Sequence, residues 1–228
     1  MAPMKTDGPL IHLRNLLAFA PEDEAGVANY CAVALMRADF TVSMDEVGNL
    51  FAWRGEGSLC LNAHMDAIPQ GIGADDRCGI AAILGAVARS DKSMNVLLTT
   101  DEEQGGIGGL EVPGEWFAGI GLCASFDRHG NTDIITHYEG KQLATDEVLA
   151  RVEKLAYDAG MDPVLTPSRS MADASTFAQY TNCVNIATGF YWEHTAQEYC
   201  RRDDVVVAEA VAGRLVEEDW NKVAHPDN

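Results

Sequence analysis

The run Val96-Leu97-Leu98-Thr99-Thr100-Asp101-Glu102-Glu103-Gln104-Gly105-Gly106 decides the fold. Its first five residues are apolar or β-branched without polar alternation, the pattern of a central strand covered on both faces. Three carboxylates follow, and then glycines that make a turn. Acids at the end of a buried strand repel one another and raise one another's pKa unless a cation compensates. A solvated acidic turn is the plain alternative.

Outward from this strand, helical spacing over 76–89 puts Ile80, Ile83, Leu84 and Val87 on one face. Ahead of that helix, three short segments, 40–47, 49–53 and 58–62, are separated by Gly48 and the Arg54-Gly55-Glu56-Gly57 turn and read as strands. Two helices open the chain: Leu13, Leu16, Leu17 and Ala20 keep helical spacing up to Pro21, and Val27, Tyr30, Cys31 and Ala34 repeat it. On the other side, 121–126 and 133–136 read as strands. Segment 145–159 reads as a helix with Val148, Val152, Leu155 and Ala156 inward and Gly160 as its stop. A strand at 183–187 and a helix at 203–220 follow, then a polar tail ending His225-Pro226-Asp227-Asn228. Alternating strands and helices predict an α/β fold, a three-layer α/β/α sandwich on a central mixed, mainly parallel sheet. No repeat or linker interrupts it, so residues 1–228 are expected to form a single domain.

Lys plus Arg number 16 against 35 Asp plus Glu, a net charge of −19 that repels phosphate backbones and anionic lipid surfaces. Nucleic acid and membrane are therefore not expected partners. The longest apolar runs, such as 79–87, are core-sized and fall short of a membrane span. Cysteines at 31, 60, 78, 123, 183 and 200 form no CxxC, and no charged, apolar, small-residue leader opens the chain. A cytosolic protein is expected.

Polar groups gather where the apolar segments stop, which is where an open α/β sheet presents its ligand site. Strand 58–62 runs into Ala63-His64-Met65-Asp66. Residues two apart on an extended chain face the same way, so Asp66 can orient the His64 imidazole for a metal; a strand-end histidine satisfied by its neighbours is the alternative. Asp75-Asp76-Arg77-Cys78-Gly79 follows a loop containing Gly71 and Gly73. One acid suffices to cap the helix that starts there. The second, turned away, can bridge cations. Strand 121–126 ends in Asp127-Arg128-His129-Gly130, and Tyr191-Trp192-Glu193-His194-Thr195 comes late, ahead of Glu198.

In order, these are HxD, DD before a glycine and a helix, EE before a glycine-rich turn, a lone Asp and a late His, all between residues 64 and 194. The set resembles the co-catalytic zinc exopeptidases, the clan that includes leucyl aminopeptidase-like, peptidase T-like and glutamyl aminopeptidase-like families. The resemblance implies that His64 binds one metal with Asp66 orienting it, and that Asp75 bridges two, the bond to Asp76 often being cis. It implies Glu102 as general acid/base and Glu103 as a ligand. Asp127 would be the terminal carboxylate on the other metal, with His194 as its partner histidine. The family's EExGxxG matches Glu102, Glu103, Gly105 and Gly108, whereas pairing Asp101 with Glu102 leaves Gln104 where glycine belongs. Choosing Asp75 over Asp76 rests on the DDRxG form that ends at Gly79.

Two histidines and three carboxylates suit two divalent ions, zinc first and cobalt or manganese next. Such a pair activates water and polarises a carbonyl, and an unliganded glutamate moves the proton. Lidded relatives insert a whole lid or dimerisation domain near the position of Asp127; here 128–169 is short and holds one helix, which favours the lid-free aminopeptidase branch. The expected activity is removal of residues from peptides with a free amino terminus. A deacylase acting on N-acyl amino acids or similar small amides is the alternative, as is a non-catalytic metal- or partner-binding protein on this scaffold. Asp173 is read as a helix cap, with an acid near the site as the alternative. Asp101 and Glu193 are read as flanking charges, and His12, His129, His137 and His225 as structural. Cys78 is read as a small buried residue, with metal-linked reactivity as the alternative. Side-chain preference and oligomeric state stay open.

Overall fold

A computed structural model describes residues 8–169, 171–221 and 223–225. Pro226, Asp227 and Asn228 of the expected tail lie outside the described residues. At the centre, β3 (Leu59–His64) and β4 (Met94–Thr99) run parallel, His64 opposite Thr99. Helix α3 (Ala74–Ala88) connects them, the crossover that a parallel pair requires. The next central strand, β5 (Leu122–Arg128), joins the other side of β3, and β9 (Asn182–Ala187) lies parallel to β5. The sheet therefore reverses its direction of growth at β3.

β1 (Thr41–Met44) and β2 (Leu50–Arg54) extend one side in antiparallel pairing. β6 (Asp133–Tyr138), β7 (Lys141–Gln142) and β8 (Val164–Ser168) extend the other. The order is β1-β2-β4-β3-β5-β9-β6-β7 with β8 on β6, a mixed sheet with a parallel centre. Segment 128–169 builds this sheet edge and α5 (Asp146–Asp158).

Pleating sends alternate residues to opposite faces. Leu61, Ala63, Val96, Leu98 and Ala124 enter the larger core, which they share with α1 (Pro9–Leu16), α2 (Glu24–Arg37), α3, α5 and α7 (Arg202–Val216). Cys60, Leu97, Cys123 and Cys183 face a smaller cluster under α6 (Asp173–Phe177) and a 3₁₀ turn at Gly114–Phe117. The three layers are present but unequal, with long helices on one face and short ones on the other.

Several elements differ from the sequence expectation. Helix α3 is buried from Ala74 to Val87 rather than along one stripe, because it packs against β3 and β5 on one side and α1 and α7 on the other. The strand expected over 40–47 stops at Met44, where Asp45 accepts the amides of Val47, Gly48 and Asn49 and turns the chain. The last helix ends at Val216; Trp220 folds back, fully buried, its indole N–H donating to the Leu215 carbonyl. The sequence reading passed over α4 (Ile107–Glu111), β7, β8, β10 (Phe190–Tyr191) and β11 (Tyr199–Cys200), each of two to five residues and too short for a period to register. Among the described residues no helix is long and apolar enough to cross a membrane.

Candidate metal centre

The C-terminal ends of β3, β4 and β5 meet at one edge, at the strand where the sheet order reverses, the usual place for a ligand. His64 ends β3 and is 1% exposed. Its Nδ1 lies 3.1 Å from Asp66 Oδ1, as two-residue spacing on a strand allows, and its Nε2 lies 3.1 Å from Asp75 Oδ1 and 3.4 Å from Asp127 Oδ1. The Asp66 carboxylate also accepts the amides of Glu102 at 3.1 Å and Glu103 at 3.0 Å. One side chain thus sets both the imidazole and the acidic loop after β4.

The adjacent acids divide their work. Asp76 is fully buried; its Oδ1 accepts the Gly79 amide at 3.1 Å, and its Oδ2 accepts the His64 amide at 3.3 Å. Asp75 turns into the site, with Oδ1 toward His64 and Oδ2 3.3 Å from His194 Nε2. The peptide bond between them is cis. Gly79 lets the helix approach β5: a Cβ there would sit 1.8 Å from the Phe126 carbonyl oxygen.

Asp127 stands where the register between β5 and β9 shifts, a local irregularity that re-aims a side chain. Asn185 on β9 holds it from both sides, accepting the Asp127 amide at 3.0 Å and donating to its carbonyl at 3.1 Å. Glu103 Oε1 is 2.6 Å from His194 Nε2. Two groups of three donors result, His64 with Asp75 and Asp127, and Asp75 with Glu103 and His194.

This division corrects one expectation. The resemblance implied that Asp127 shares a metal with His194, but Asp127 lies with His64, and Glu103 with His194. β5 pairs directly with β3, so their ends are neighbours, while His194 comes from the loop between β10 and β11.

Electrostatics follow from the crowding. Burial, then the charge of Asp127, pushes Glu102 up to about 9, and burial pushes Asp127 up to about 7. Burial raises Asp75 too, but hydrogen bonds from His194 and His64 outweigh it and hold the group at about 2. His64 is raised well above the ordinary imidazole range: burial opposes this, and hydrogen bonds to Asp127, Asp66 and Asp75 prevail. The hydrogen bond to Asp75 leads the causes that bring His194 to about 9. Buried carboxylates in excess of their cationic partners are what a bound cation relieves. Donors about 2.0–2.2 Å from a tetrahedral zinc stand about 3.4 Å from each other. The His64 contacts at 3.1 and 3.4 Å match that spacing, and those of His194 at 2.6 and 3.3 Å are slightly tighter. The donor set and its spacing fit two divalent ions, and Glu102 belongs to neither group of three.

Two acids have roles that the sequence reading did not give them. The Glu198 carboxylate accepts the amides of Ile72, of Gly73 at 2.9 Å and of Asp75 at 3.0 Å. It ties the loop that carries His194 to the loop that carries Asp75. Gly71 is the sequence trace of this contact, since a Cβ there would lie 2.1 Å from Glu198 Oε2. Asp173, expected to cap a helix, instead points into the sheet at 2% exposure; its Oδ2 takes hydrogen bonds from Asn62 at 3.2 Å and from Thr99. Ser175 serves that helix start by bonding Ala172. Burial raises the Asp173 pKa.

His129 and Glu193, read as structural and flanking, pair at 2.6 Å. Asp101 accepts a hydrogen bond from Gln104 within the turn, as a flanking charge would. Cys78 is fully buried and its thiol meets that of Cys200 rather than a donor group. A cavity of about 140 Å³ opens at the centre, lined by Asp75, Glu102, Glu103, Asp127 and His194 together with groups such as Ile135, Leu143 and Ala174.

No protein-family model and no curated protein sequence matches the chain. Solved structures do. The aminopeptidase PepT from Bacillus cereus superposes over 95% of this chain and 99% of that one, with a TM-score of 0.82 and 13% identity. A tripeptidase from Staphylococcus aureus covers 95% and 99% at a TM-score of 0.81 and 12% identity. A Zn-dependent exopeptidase from Parabacteroides distasonis covers 92% and 97% at 0.76 and 15%. The chain has the fold of these exopeptidases.

Proposed function

We propose that the chain is a dinuclear metal-dependent aminopeptidase, a single catalytic domain that cleaves the first peptide bond of substrates with a free amino terminus. The observation that carries this reading is the pair of three-donor groups sharing Asp75, with Glu102 beside both and part of neither. His64, Asp75 and Asp127 would hold one ion and Asp75, Glu103 and His194 the other, zinc by preference, cobalt or manganese otherwise. When bound, such a pair supplies an acidified water and a polarised scissile carbonyl.

The protein's own groups do the rest. Glu102 takes the water's proton and returns it to the leaving amine, the role of a positioned general base and acid. Bound cations would offset the burial and the Asp127 charge that push its proton affinity up, so that Glu102 can stand ionised as the base. Asp66 engages His64 Nδ1, which leaves Nε2 for the centre. The names of the superposing structures, aminopeptidase, tripeptidase and exopeptidase, agree with this chemistry.

The test uses zinc-loaded protein and matched peptides with free or acetylated amino termini, with products read by mass. Stepwise trimming of the free-ended set alone is expected. Release of the acetyl group would reassign the protein as a deacylase, and inertness toward both sets would leave a binding protein.

A further inference from the structure

Next to the donor groups lies a set of buried polar side chains that the proposed chemistry does not use. Residues two apart on a strand share a face, so Cys60, Asn62 and His64 line up on one face of β3. Cys123 and Ser125 stand opposite Cys60 and Asn62 on β5, two residues short of Asp127 in the case of Ser125. Thr99 on β4 stands opposite His64. Cys60 and Cys123 belong to the smaller apolar cluster, whereas Asn62, Thr99 and Ser125 are polar and fully buried. A polar layer thus separates the apolar floor from the strand ends that carry His64 and Asp127.

Hydrogen bonds join this layer across three strands. Asn62 Oδ1 accepts from the Ser125 hydroxyl at 2.5 Å, and its Nδ2 donates to the Leu97 carbonyl on β4 and to Asp173 Oδ2, each at 3.2 Å. The Thr99 hydroxyl meets the same Asp173 oxygen and lies 3.2 Å from the Ala63 carbonyl. Asp173 therefore links α6 to β3 and β4 directly, and to β5 through Asn62. Its neighbours Ala172 and Ala174 line the cavity at the centre, while its own side chain turns into the sheet.

A helix cap would not need this arrangement, since Ser175 already serves the start of α6. Asp173 Oδ1 has no hydrogen-bond partner among the described residues, and Gly109 makes room for it: a Cβ there would lie 2.3 Å away. A buried polar atom left without a partner is costly, and apolar groups of the same shape would fill the layer without that cost. What apolar contacts lack is direction. A hydrogen bond tolerates only a narrow range of distance and angle, and an ion site needs its donors held to within about 0.5 Å.

Resting on the two-ion reading, we propose that Asp173 is a positioning residue. Through Asn62 and Thr99 it fixes the ends of β3, β4 and β5, and with them the spacing of His64 and Asp127 around their ion. It touches neither ion nor substrate. Glu103 and His194 lie in loops beyond the strand ends, held by Asp66 and by Glu198, and do not depend on it.

Cobalt titration of metal-free protein, followed by visible absorption and by calorimetry, reads ion binding without turnover. Asp173→Ala is expected to weaken one of the two ions by ~10–100-fold, the effect of removing a supporting side chain, and to leave the other unchanged. In a His194→Ala protein, where the remaining ion is the one at His64, adding Asp173→Ala should weaken that ion by the same factor. Asp173→Asn keeps an oxygen that accepts from Asn62 and Thr99 and is expected to restore most of the loss. Thr99→Val keeps the shape without the hydroxyl and should reproduce part of it; these two variants carry the test if Asp173→Ala fails to fold. With free-ended peptides the loss is expected in kcat rather than KM, because no substrate contact is removed. Wild-type binding of both ions in the Asp173 and Thr99 variants, or equal weakening of the two ions, would overturn the proposal and leave the two-ion reading standing. Two ions bound with the expected pattern of losses, but no peptide cleaved by the wild type, would sink the aminopeptidase reading and keep the role of Asp173.

Discussion

The two groups of donors share Asp75 and little else. His64 and Asp127 come from the ends of adjacent parallel strands, and their side chains are 1% and 10% exposed. Glu103 and His194 come from loops, His194 with a φ of 61° and a side chain 47% exposed. The first group is thus built into the sheet, where neighbouring strands fix the backbone on both sides. The second is assembled by tethers, Asp66 on the Glu103 amide and Glu198 on the Asp75 loop. The contrast teaches that one group inherits its geometry from the fold, while the other needs side chains whose work is to hold loops.

Removing the shared member should erase the contrast. Asp75→Asn is expected to empty both sites by elemental analysis and to leave no measurable hydrolysis; retention of one tightly held ion per chain would show that the groups are not joined through Asp75. Glu102→Gln should keep both ions and lose ~10²–10⁴-fold in kcat, the range for a general acid/base. Unchanged turnover with metal bound would remove Glu102 from the mechanism.

The next changes separate the groups. His64→Ala withdraws the imidazole from among three buried carboxylates and is expected to lower stability by ~3–5 kcal/mol, as loss of one partner from a buried charged pair does, read from denaturant unfolding. Glu198→Gln weakens a carboxylate that accepts three amides. It should cost ~1.5–3 kcal/mol and loosen ion binding at the Asp75, Glu103 and His194 group by ~10–100-fold, as for other supporting side chains. Equal weakening of both groups would place Glu198 in the fold at large rather than in the tethered half. His194→Ala has the smallest expected effect on the fold, below ~1 kcal/mol or about 2–4 °C in Tm, while one of the two ions is lost. A Tm fall as deep as that of His64→Ala would erase the distinction between built and tethered groups.

The division also marks where sequence suffices. Local rules delivered the strand ends: two-residue spacing aimed His64 and Asp66 to one side, as their hydrogen bond bears out, and one capping acid left the other free, while the choice between Asp75 and Asp76 rested on the resemblance. The unbroken apolar run of β4 gave the central strand, and helical spacing gave the helix over 145–159; that Thr145 caps it, its hydroxyl accepting the Val148 amide, the structure added. The pairing of Asp127 with His64 was not legible, because it depends on which strand lies beside which. Strand order is a property of long-range pairing that spacing along one strand does not encode. Asp173 misled for the same reason: its position before a short helix suggests a cap, and only the fold of β3 and β4 beneath it offers the Asn62 and Thr99 groups that take its side chain instead.

By itself, then, the sequence determined the layers and the central strands, since these follow from periodicity and residue type over short spans, while the choice of site residues rested on the family resemblance. Tertiary structure alone decided how those groups are partitioned and that Glu198 closes on the Gly71 to Asp75 loop. Each of these is a contact between residues far apart in the chain, brought together by sheet order and burial, and no local pattern of side chains specifies it.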